Sequence, residues 1–168
     1  KGKELAQPKL RLQLQGETGR RLDAIVKNWL LPAPQANPGM IEMMRLRDRQ
    51  PPYEDPVPWA GEFIGKYLTS AILARRASSS VDLDHLLQKL IPEFIATQAE
   101  DGYLGPFPKN ERLLGHWDLW GHYHALLALY TWYCDTGDRQ ALEAALRAAD
   151  LVCATYLDTE RRVYDAGS

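Results

Sequence analysis

The sequence has little cysteine and no long apolar run. It contains 2 cysteines among 168 residues, and Cys134 and Cys153 form neither a CxxC pair nor a disulfide framework. We interpret both as inert core thiols. No segment approaches the roughly 18 consecutive apolar residues of a membrane span. The sequence therefore predicts a soluble protein without a membrane partner.

The charge has no dominant sign. The 20 Lys and Arg and 22 Asp and Glu leave a formal net charge of -2 at pH 7, so the basic field that nucleic acid selects is missing and we expect no nucleic acid partner. Motifs for a Ser/His/Asp site, a phosphate-binding loop and an HExxH metal site are also absent from the sequence. The length fits one domain that needs no metal for its stability. Nothing in the sequence indicates a compartment.

Helical periodicity covers most of the chain after residue 17. Apolar residues recur at intervals of three and four, which predicts five helices, approximately over 18–31, 59–77, 81–98, 117–133 and 138–157. Thr18 and Asp138 are the candidate N-caps of the first and last helix. The fourth helix is apolar on nearly every face, which indicates that protein surrounds it. The predicted fold class is therefore all-α.

Two segments do not fit this periodicity. Residues 1–17 alternate apolar and polar side chains around Leu12 and Leu14, which predicts a short N-terminal strand or extended arm. Residues 32–58 hold seven of the 11 prolines, which leaves room for one helical turn near 41–46 at most. Because this Pro-rich loop also carries methionines and aromatic residues, we interpret it as an ordered lid rather than a linker.

A weak internal repeat indicates a larger architecture. The order of buried helix, turn, amphipathic helix and aromatic-glycine loop begins at Trp59 and again at Trp117. Units of this kind stack into a solenoid or a closed ring, and two units do not close a ring. We therefore expect this chain to be the N-terminal part of a larger helical toroid. Its uncovered apolar helix faces favour self-association.

The densest chemical cluster runs from Gly115 to His124 and holds three of the 4 histidines. On one helix, Trp117, Trp120 and His124 share a face, whereas His122 and His124 cannot chelate one metal ion. An aromatic platform beside imidazole and carboxylate groups suits a sugar ring. The alternative is that both tryptophans are core residues and His124 forms an internal hydrogen bond.

Acidic residues and a glycine loop add further candidates. The loop 101–108 supplies Asp101 and Tyr103, either as ligand contacts or as turn residues alone. For glycoside hydrolysis by paired carboxylates, the candidates are Glu62, Glu100, Asp101 and Asp118. A protein of this size carries several such acids in any case, so the carboxylates alone have little specificity.

Four ordered runs of the sequence are similar to one known family. They are Pro58–Leu68, Asp101–Gly105, Trp117–His124 and Thr136–Asp138, and they resemble glycoside hydrolase family 127, the bacterial beta-L-arabinofuranosidases. The resemblance covers the chain from about residue 18. It implies that residues 1–168 are the N-terminal portion of one (α/α)6 barrel domain, so that this chain forms an incomplete barrel, with the rest of the barrel and any β-sandwich domains outside it.

The resemblance also implies an activity and a metal. Members of this family are retaining exo-glycosidases that act on terminal beta-L-arabinofuranosides. They use a glutamate as acid/base and a zinc-bound cysteine as nucleophile. Glu-x-Cys and Cys-Cys motifs hold the zinc. Neither motif occurs in the 168 residues. We therefore expect no catalytic residue, metal ligand or cofactor in this chain, with zinc implied only for the full-length enzyme. The catalytic centre would lie downstream of Ser168, and this chain alone would be inactive.

The substrate-binding residues are assigned by the same resemblance. His124 matches the family histidine that contacts the terminal sugar, and Trp120 and Asp118 stand where the family often has an aromatic residue and an acid. Tyr123 replaces a glycine of the family, and Trp117 stands where some members have another histidine. These two departures leave the identity of the sugar open.

The resemblance also implies three substrate-binding residues at the pocket or its rim. They are Glu62, Asp101 and Tyr103. The carbohydrate substrate is the partner that this interpretation requires. Two other functions stay open from the sequence. One is a helical-repeat protein that binds glycan or peptide without chemistry, and the other is a different (α/α) toroid enzyme acting on carbohydrate.

Overall fold

A computed structural model describes residues 12–48 and 59–167 of the chain. The regular structure of this part is helical throughout, which confirms the all-α prediction. The helices are α1 (Gly16–Ile25), α2 (Ala33–Ala36), α3 (Gly39–Leu46), α4 (Glu62–Ala77), α5 (Val81–Ile95), α6 (Asp118–Thr136) and α7 (Arg139–Tyr156). A π-helical segment, Val26–Leu30, continues α1, and a 3-10 helix, Val163–Gly167, follows α7. The long helices α1, α4, α5, α6 and α7 are the five that periodicity predicts.

The predicted N-terminal strand is not present among the described residues. Part of it, including Leu10, lies outside them, and residues 12–15 are exposed and have no regular structure. The only ladder-like contact that we observe there is the N–H of Leu12, which donates to the carbonyl of Arg76 at 2.7 Å. Alternation alone does not make a strand where no neighbouring strand supplies hydrogen bonds. Helix α1 then begins at Gly16, before the predicted cap Thr18.

The described part of the Pro-rich segment is mostly helical, which corrects the prediction of a loop. The single turn expected near 41–46 is helix α3, which has 8 residues. Pro32 and Pro38 stand at the N-caps of α2 and α3, where a missing backbone N–H costs nothing. Ile41 and Met44 are buried in the core. The part of the predicted lid at 49–58 lies outside the described residues.

Helices α4 and α6 form the centre of the fold and run parallel. Gly61 lies against Gly121, and four residues further along α4, Gly65 lies against the backbone of His124. A Cβ atom on Gly65 would lie 2.5 Å from the carbonyl carbon of His124, and one on Gly121 would lie 3.0 Å from that of Gly61. Glycine is therefore required at this interface, because no side chain fits between the two backbones.

A second layer of helices covers one side of this pair. Helix α5 packs against α4, α7 packs against α6, and α5 and α7 contact each other. The buried face of α7 consists of small residues, Ala141, Ala144, Ala145 and Ala148. Asp138 is the N-cap of α7, as predicted: its Oδ1 accepts from the N–H of Gln140 at 3.0 Å, and its Oδ2 accepts from Nε1 of Trp132 at 3.0 Å.

Two burial predictions are wrong. Helix α6 is not surrounded by protein within the described ranges, because one face leaves Trp120, Tyr123 and Tyr130 exposed by 45%, 49% and 52%. Cys153 is exposed on α7 and Cys134 is only half-buried. Apolar side chains on a helix face indicate that the face is favourably buried. They do not show which segment packs against it. No helix of the described residues is long and apolar enough to cross a bilayer.

The glycine interface predicts a large effect of one methyl group. We expect Gly65→Ala to lower the free energy of unfolding by about 2 kcal/mol, because the two helix backbones must move apart. The matched control is Gly39→Ala in α3, where an added Cβ meets nothing within 4 Å and the expected change is below about 1 kcal/mol. Urea unfolding followed by circular dichroism measures both, and equal stability of the two variants would contradict the close contact.

Candidate functional site

The close contact of α4 and α6 brings polar and aromatic side chains together on one surface, which we call the α4–α6 face. It consists of Glu62, Lys66, Trp120, Tyr123 and His124. Lys66 Nζ lies 2.7 Å from Glu62 Oε1 and 5.9 Å from the centre of the Trp120 ring. The ammonium group therefore connects the carboxylate of α4 to the aromatic residues of α6.

His124 lies among the aromatic side chains of this face. Its imidazole meets the Trp120 ring edge-on at a centroid distance of 4.7 Å, and the Tyr123 ring lies 5.0 Å away. The Nε2 atom is buried and has no hydrogen-bond partner among the described residues. A buried polar atom without a partner is costly unless a ligand or water completes it.

Burial, and next the charge of Lys66, favour the neutral form of His124. Burial lowers the pKa of the imidazole below its ordinary value, and the positive charge of Lys66 lowers it further, while Glu62 acts in the opposite direction. A neutral imidazole carries one donor and one acceptor nitrogen. At neutral pH, His124 is therefore equipped to exchange hydrogen bonds with a hydroxyl group.

Asp118 and Tyr103 lie side by side below the surface instead of lining an open pocket. Both are buried, with exposed fractions of 1% and 0%. Oη of Tyr103 donates to Asp118 Oδ2 at 2.9 Å and accepts from the N–H of Phe107 at 3.0 Å. Asp118 Oδ2 also accepts from the N–H of Leu113 at 2.8 Å. The pair thereby fixes the loop after α5 to the first turn of α6.

His122, one helical turn after Asp118 on α6, completes this buried group. Its Nε2 accepts from the N–H of Leu104 at 3.2 Å, and its Nδ1 lies 3.4 Å from the carbonyl of Asp118. Burial, and next the negative charge of Asp118, raise the pKa of Tyr103 well above its ordinary value. The hydroxyl of Tyr103 therefore stays a donor to the carboxylate throughout the physiological range.

Two arginines enclose the Tyr103 ring. The guanidinium of Arg112 lies 4.6 Å and that of Arg47 lies 5.5 Å from the ring centre. Arg47 comes from the Pro-rich segment and donates to the carbonyls of Met44, Thr97 and Gly105. This segment is therefore held against the loop after α5 by a nearly buried cation, and no pattern in the sequence indicates that contact.

Asp101 stands at the edge of the same loop and is exposed. Its Oδ1 accepts from the N–H of Tyr103 at 3.1 Å, and its Oδ2 accepts from Arg112 at 2.7 Å. Burial alone would raise the pKa of this carboxyl, but the bonds from Tyr103 and Arg112 outweigh it, and the pKa lies below its ordinary value. Asp101 stays ionised and orders the loop.

An open groove lies beside the α4–α6 face. It has a volume of about 530 Å³ and is lined mainly by apolar side chains from the π-helical segment, α3 and α4, including Trp29, Met40, Met43 and Phe63. Lys66 also lines it, so the groove and the α4–α6 face meet at one residue. Volumes of 300 to 1,000 Å³ are typical of small-molecule sites.

The predicted site residues thus fall into two groups. Glu62, Trp120 and His124 meet on the surface, whereas Asp118 and Tyr103 meet beneath it and Asp101 lies at the loop edge. Lys66 was not predicted, although its position four residues after Glu62 on a helix is the usual spacing of an ion pair. The substrate contacts of all six predicted residues stay a prediction.

The described residues do not form a zinc centre. No group of three or more His, Cys, Asp or Glu side chains in the described ranges is placed to hold a metal ion. Cys134 and Cys153 are both free thiols. The zinc that the resemblance implies therefore has no donor set among the described residues.

Comparison with known proteins gives one family. A family model described as the beta-L-arabinofuranosidase GH127 catalytic domain matches residues 10–164. The crystal structure of a GH127 beta-L-arabinofuranosidase from Geobacillus stearothermophilus T6 is similar in fold, with a TM-score of 0.70 and 18% sequence identity over 89% of this chain. The chain covers 26% of that protein's length. The search of curated proteins finds no match.

The buried Tyr103 hydroxyl predicts a stability effect that a surface tyrosine does not share. We expect Tyr103→Phe to lower the free energy of unfolding by about 1–3 kcal/mol, because Asp118 and the N–H of Phe107 each lose a partner. Tyr123→Phe, which removes a hydroxyl from a half-exposed ring, is the control and should change it by less than about 0.5 kcal/mol. Chemical unfolding measures both, and a fully stable Tyr103→Phe would show that the bond contributes nothing.

The charges around His124 predict how its pKa responds to substitution. Removing the positive charge with Lys66→Met should raise the pKa of His124, and Glu62→Gln should lower it further. Lys89→Met on α5 removes a positive charge that is not among the causes of the His124 shift and should leave the pKa unchanged. The imidazole proton signals in an NMR titration report the pKa directly, and an identical His124 curve in the wild type and Lys66→Met would contradict the assigned cause.

Proposed function

Because the chain belongs to the GH127 beta-L-arabinofuranosidase catalytic-domain family, we propose that it is part of a retaining glycoside hydrolase acting on terminal beta-L-arabinofuranosides or a related sugar. In this proposal the chain supplies one wall of the sugar pocket. The family membership supports the class of reaction, and the α4–α6 face supports the position of the wall.

The observation that carries the proposal is the state of His124. Its buried Nε2 has no hydrogen-bond partner among the described residues, and the imidazole is kept neutral by burial and by Lys66. A sugar hydroxyl is both a donor and an acceptor, so it can complete such a nitrogen without transfer of charge. The half-exposed ring of Trp120 offers a flat surface beside it for the C–H face of the same sugar.

The other predicted residues receive different roles. Glu62 and Lys66 form an ion pair at the edge of the face, where each can bond a further hydroxyl. Asp118 and Tyr103 act as positioning residues, because their hydrogen bonds fix the start of α6, the helix that carries Trp120 and His124. Asp101 orders the loop at the rim. The residues of this chain thus bind and orient the sugar.

The chemistry itself is assigned elsewhere in the longer protein. By the resemblance, the zinc, its cysteine ligands and a glutamate acid/base would lie outside these 168 residues and would supply the chemistry there. The described residues include no donor set for the metal, so the proposal gives no catalytic role to this chain. The 168 residues by themselves should bind sugar weakly and hydrolyse nothing.

Substitution of His124 in the complete protein tests this assignment. We expect His124→Ala to reduce kcat/KM for a chromogenic beta-L-arabinofuranoside by about tenfold, because the bound sugar loses one hydrogen bond. His85→Ala is the matched control, because His85 is exposed on α5, away from the α4–α6 face. Circular dichroism and the unfolding midpoint should be the same for both variants.

Each other outcome removes a specific part of the proposal. Unchanged kinetics in His124→Ala would remove His124 from the pocket. Absence of hydrolysis in the wild-type complete protein would remove the activity. Hydrolysis by the 168 residues alone would show that an acid of this chain, such as Glu62 or Asp101, performs the chemistry.

A further inference from the structure

Arg47, in the segment after α3, is a nearly buried cation that donates its hydrogen bonds to backbone carbonyls. Its side chain is 7% exposed, and the accepting carbonyls are those of Met44, Thr97 and Gly105. Its ion pair with Asp48 is long, 3.7 Å from Nε to Oδ2, and Asp48 is half-exposed. A buried charge of this kind is unfavourable, and apolar side chains of similar volume fill such a space equally well or better. The polar contacts of Arg47 therefore point to a role besides packing.

Arg112, the other arginine at the Tyr103 ring, has a different environment. Its side chain is also nearly buried, but it pairs with the carboxylates of Asp48 and Asp101. Burial, and next the positive charge of Arg112, lower the pKa of Arg47, although a guanidinium stays charged at any physiological pH. The fold therefore keeps Arg47 in place against both desolvation and a neighbouring like charge.

The carbonyl of Gly105 brings Arg47 next to the hydrogen bond between Tyr103 and Asp118. Arg47 Nη1 donates to this carbonyl at 3.3 Å. A Cβ atom on Gly105 would lie 2.5 Å from Cζ of Tyr103 and 2.7 Å from Oδ1 of Asp118, so the backbone here is in direct contact with both side chains. The guanidinium also lies 5.5 Å from the centre of the Tyr103 ring. Arg47 thus restrains both the tyrosine ring and the backbone that touches its hydroxyl end.

Helix α6 connects this restraint to the α4–α6 face. Asp118 is the first residue of α6, and Trp120 and His124 follow on the same helix. Because a helix is a rigid element, a shift of its first turn displaces the side chains further along it. We propose that Arg47 is a positioning residue for the sugar site, which acts through Tyr103 and Asp118. This inference rests on the proposed function and extends it to a residue in another segment of the fold.

Substitution of Arg47 in the complete protein tests this inference. We expect Arg47→Ala to reduce kcat/KM for the chromogenic beta-L-arabinofuranoside about tenfold, because the displaced side chains of α6 orient the sugar less well. Arg47→Lys keeps the charge but lacks the planar group that reaches three carbonyls, so we expect a similar loss. The matched control is Arg45→Ala, because Arg45 is exposed on α3 and pairs with Glu42, and its kinetics should equal those of the wild type.

Two further measurements separate positioning from a general loss of stability. Arg47 lines an open pocket of about 430 Å³, so a guanidinium ion has access to the space that Arg47→Ala leaves. Millimolar guanidinium chloride should restore most of the kcat/KM of Arg47→Ala and should not change that of Arg47→Lys. In an NMR titration of both variants, the pKa of His124 should rise toward its ordinary value, because the imidazole loses part of the burial that lowers it.

Each result supports or overturns the inference. Wild-type kinetics and an unchanged pKa of His124 in folded Arg47→Lys would overturn it and leave the proposed function intact, and this variant decides if Arg47→Ala does not fold. A loss of activity with no guanidinium rescue and no change in that pKa would assign Arg47 to overall stability and overturn the inference as well. If the wild-type complete protein hydrolyses nothing, the proposed function fails, and the pKa of His124 in the variants alone decides whether Arg47 positions α6.

Discussion

The direct contact between the backbones of α4 and α6 is the constraint on which the other features depend. Gly65 and Gly121 allow the two helices to approach until no Cβ fits between them at these positions. That distance places Lys66 over the ring of Trp120 and sets Glu62 beside it. Core packing and the geometry of the candidate site therefore arise from the same interface, and a change that separates the helices affects both.

A second constraint joins the loop after α5 to the start of α6. Tyr103, Asp118 and His122 form a buried hydrogen-bonded group that joins the loop after α5 to the first turn of α6. Arg47 and Arg112 cover the tyrosine ring and bring the segment after α3 to the same point. Buried polar groups of this kind stabilise one arrangement because any other leaves them unpaired. The surface residues of α6 thus project from a rigid base.

Periodicity and capping predicted the long helices, because both depend on residues close in the sequence. The five helices and the N-cap Asp138 follow this rule, and the convergence of Trp120 with His124 follows from helical spacing alone. Contacts between distant segments carry no such pattern. The alternation around Leu12 therefore predicted a strand although it could not show whether a neighbouring strand exists. The hydrogen bonds from Arg47 to the carbonyls of Thr97 and Gly105 have no local pattern and were not predicted. The sequence also could not show that Asp118 is buried, since a carboxylate at a helix start serves a ligand or a loop equally well.

The buried tyrosines set a limit on the pH range of the fold. Burial raises the pKa values of Tyr103 and Tyr67 in the folded chain, and the hydroxyl of Tyr67 donates to the carbonyl of Leu30 at 2.6 Å. In the unfolded chain each phenol ionises near pH 10. The folded state therefore binds more protons than the unfolded state above that pH, and the stability that both residues contribute is lost as the pH rises. Strong alkali should release the loop after α5 and the end of the π-helical segment Val26–Leu30 together, although the described residues of these segments do not share a hydrogen bond.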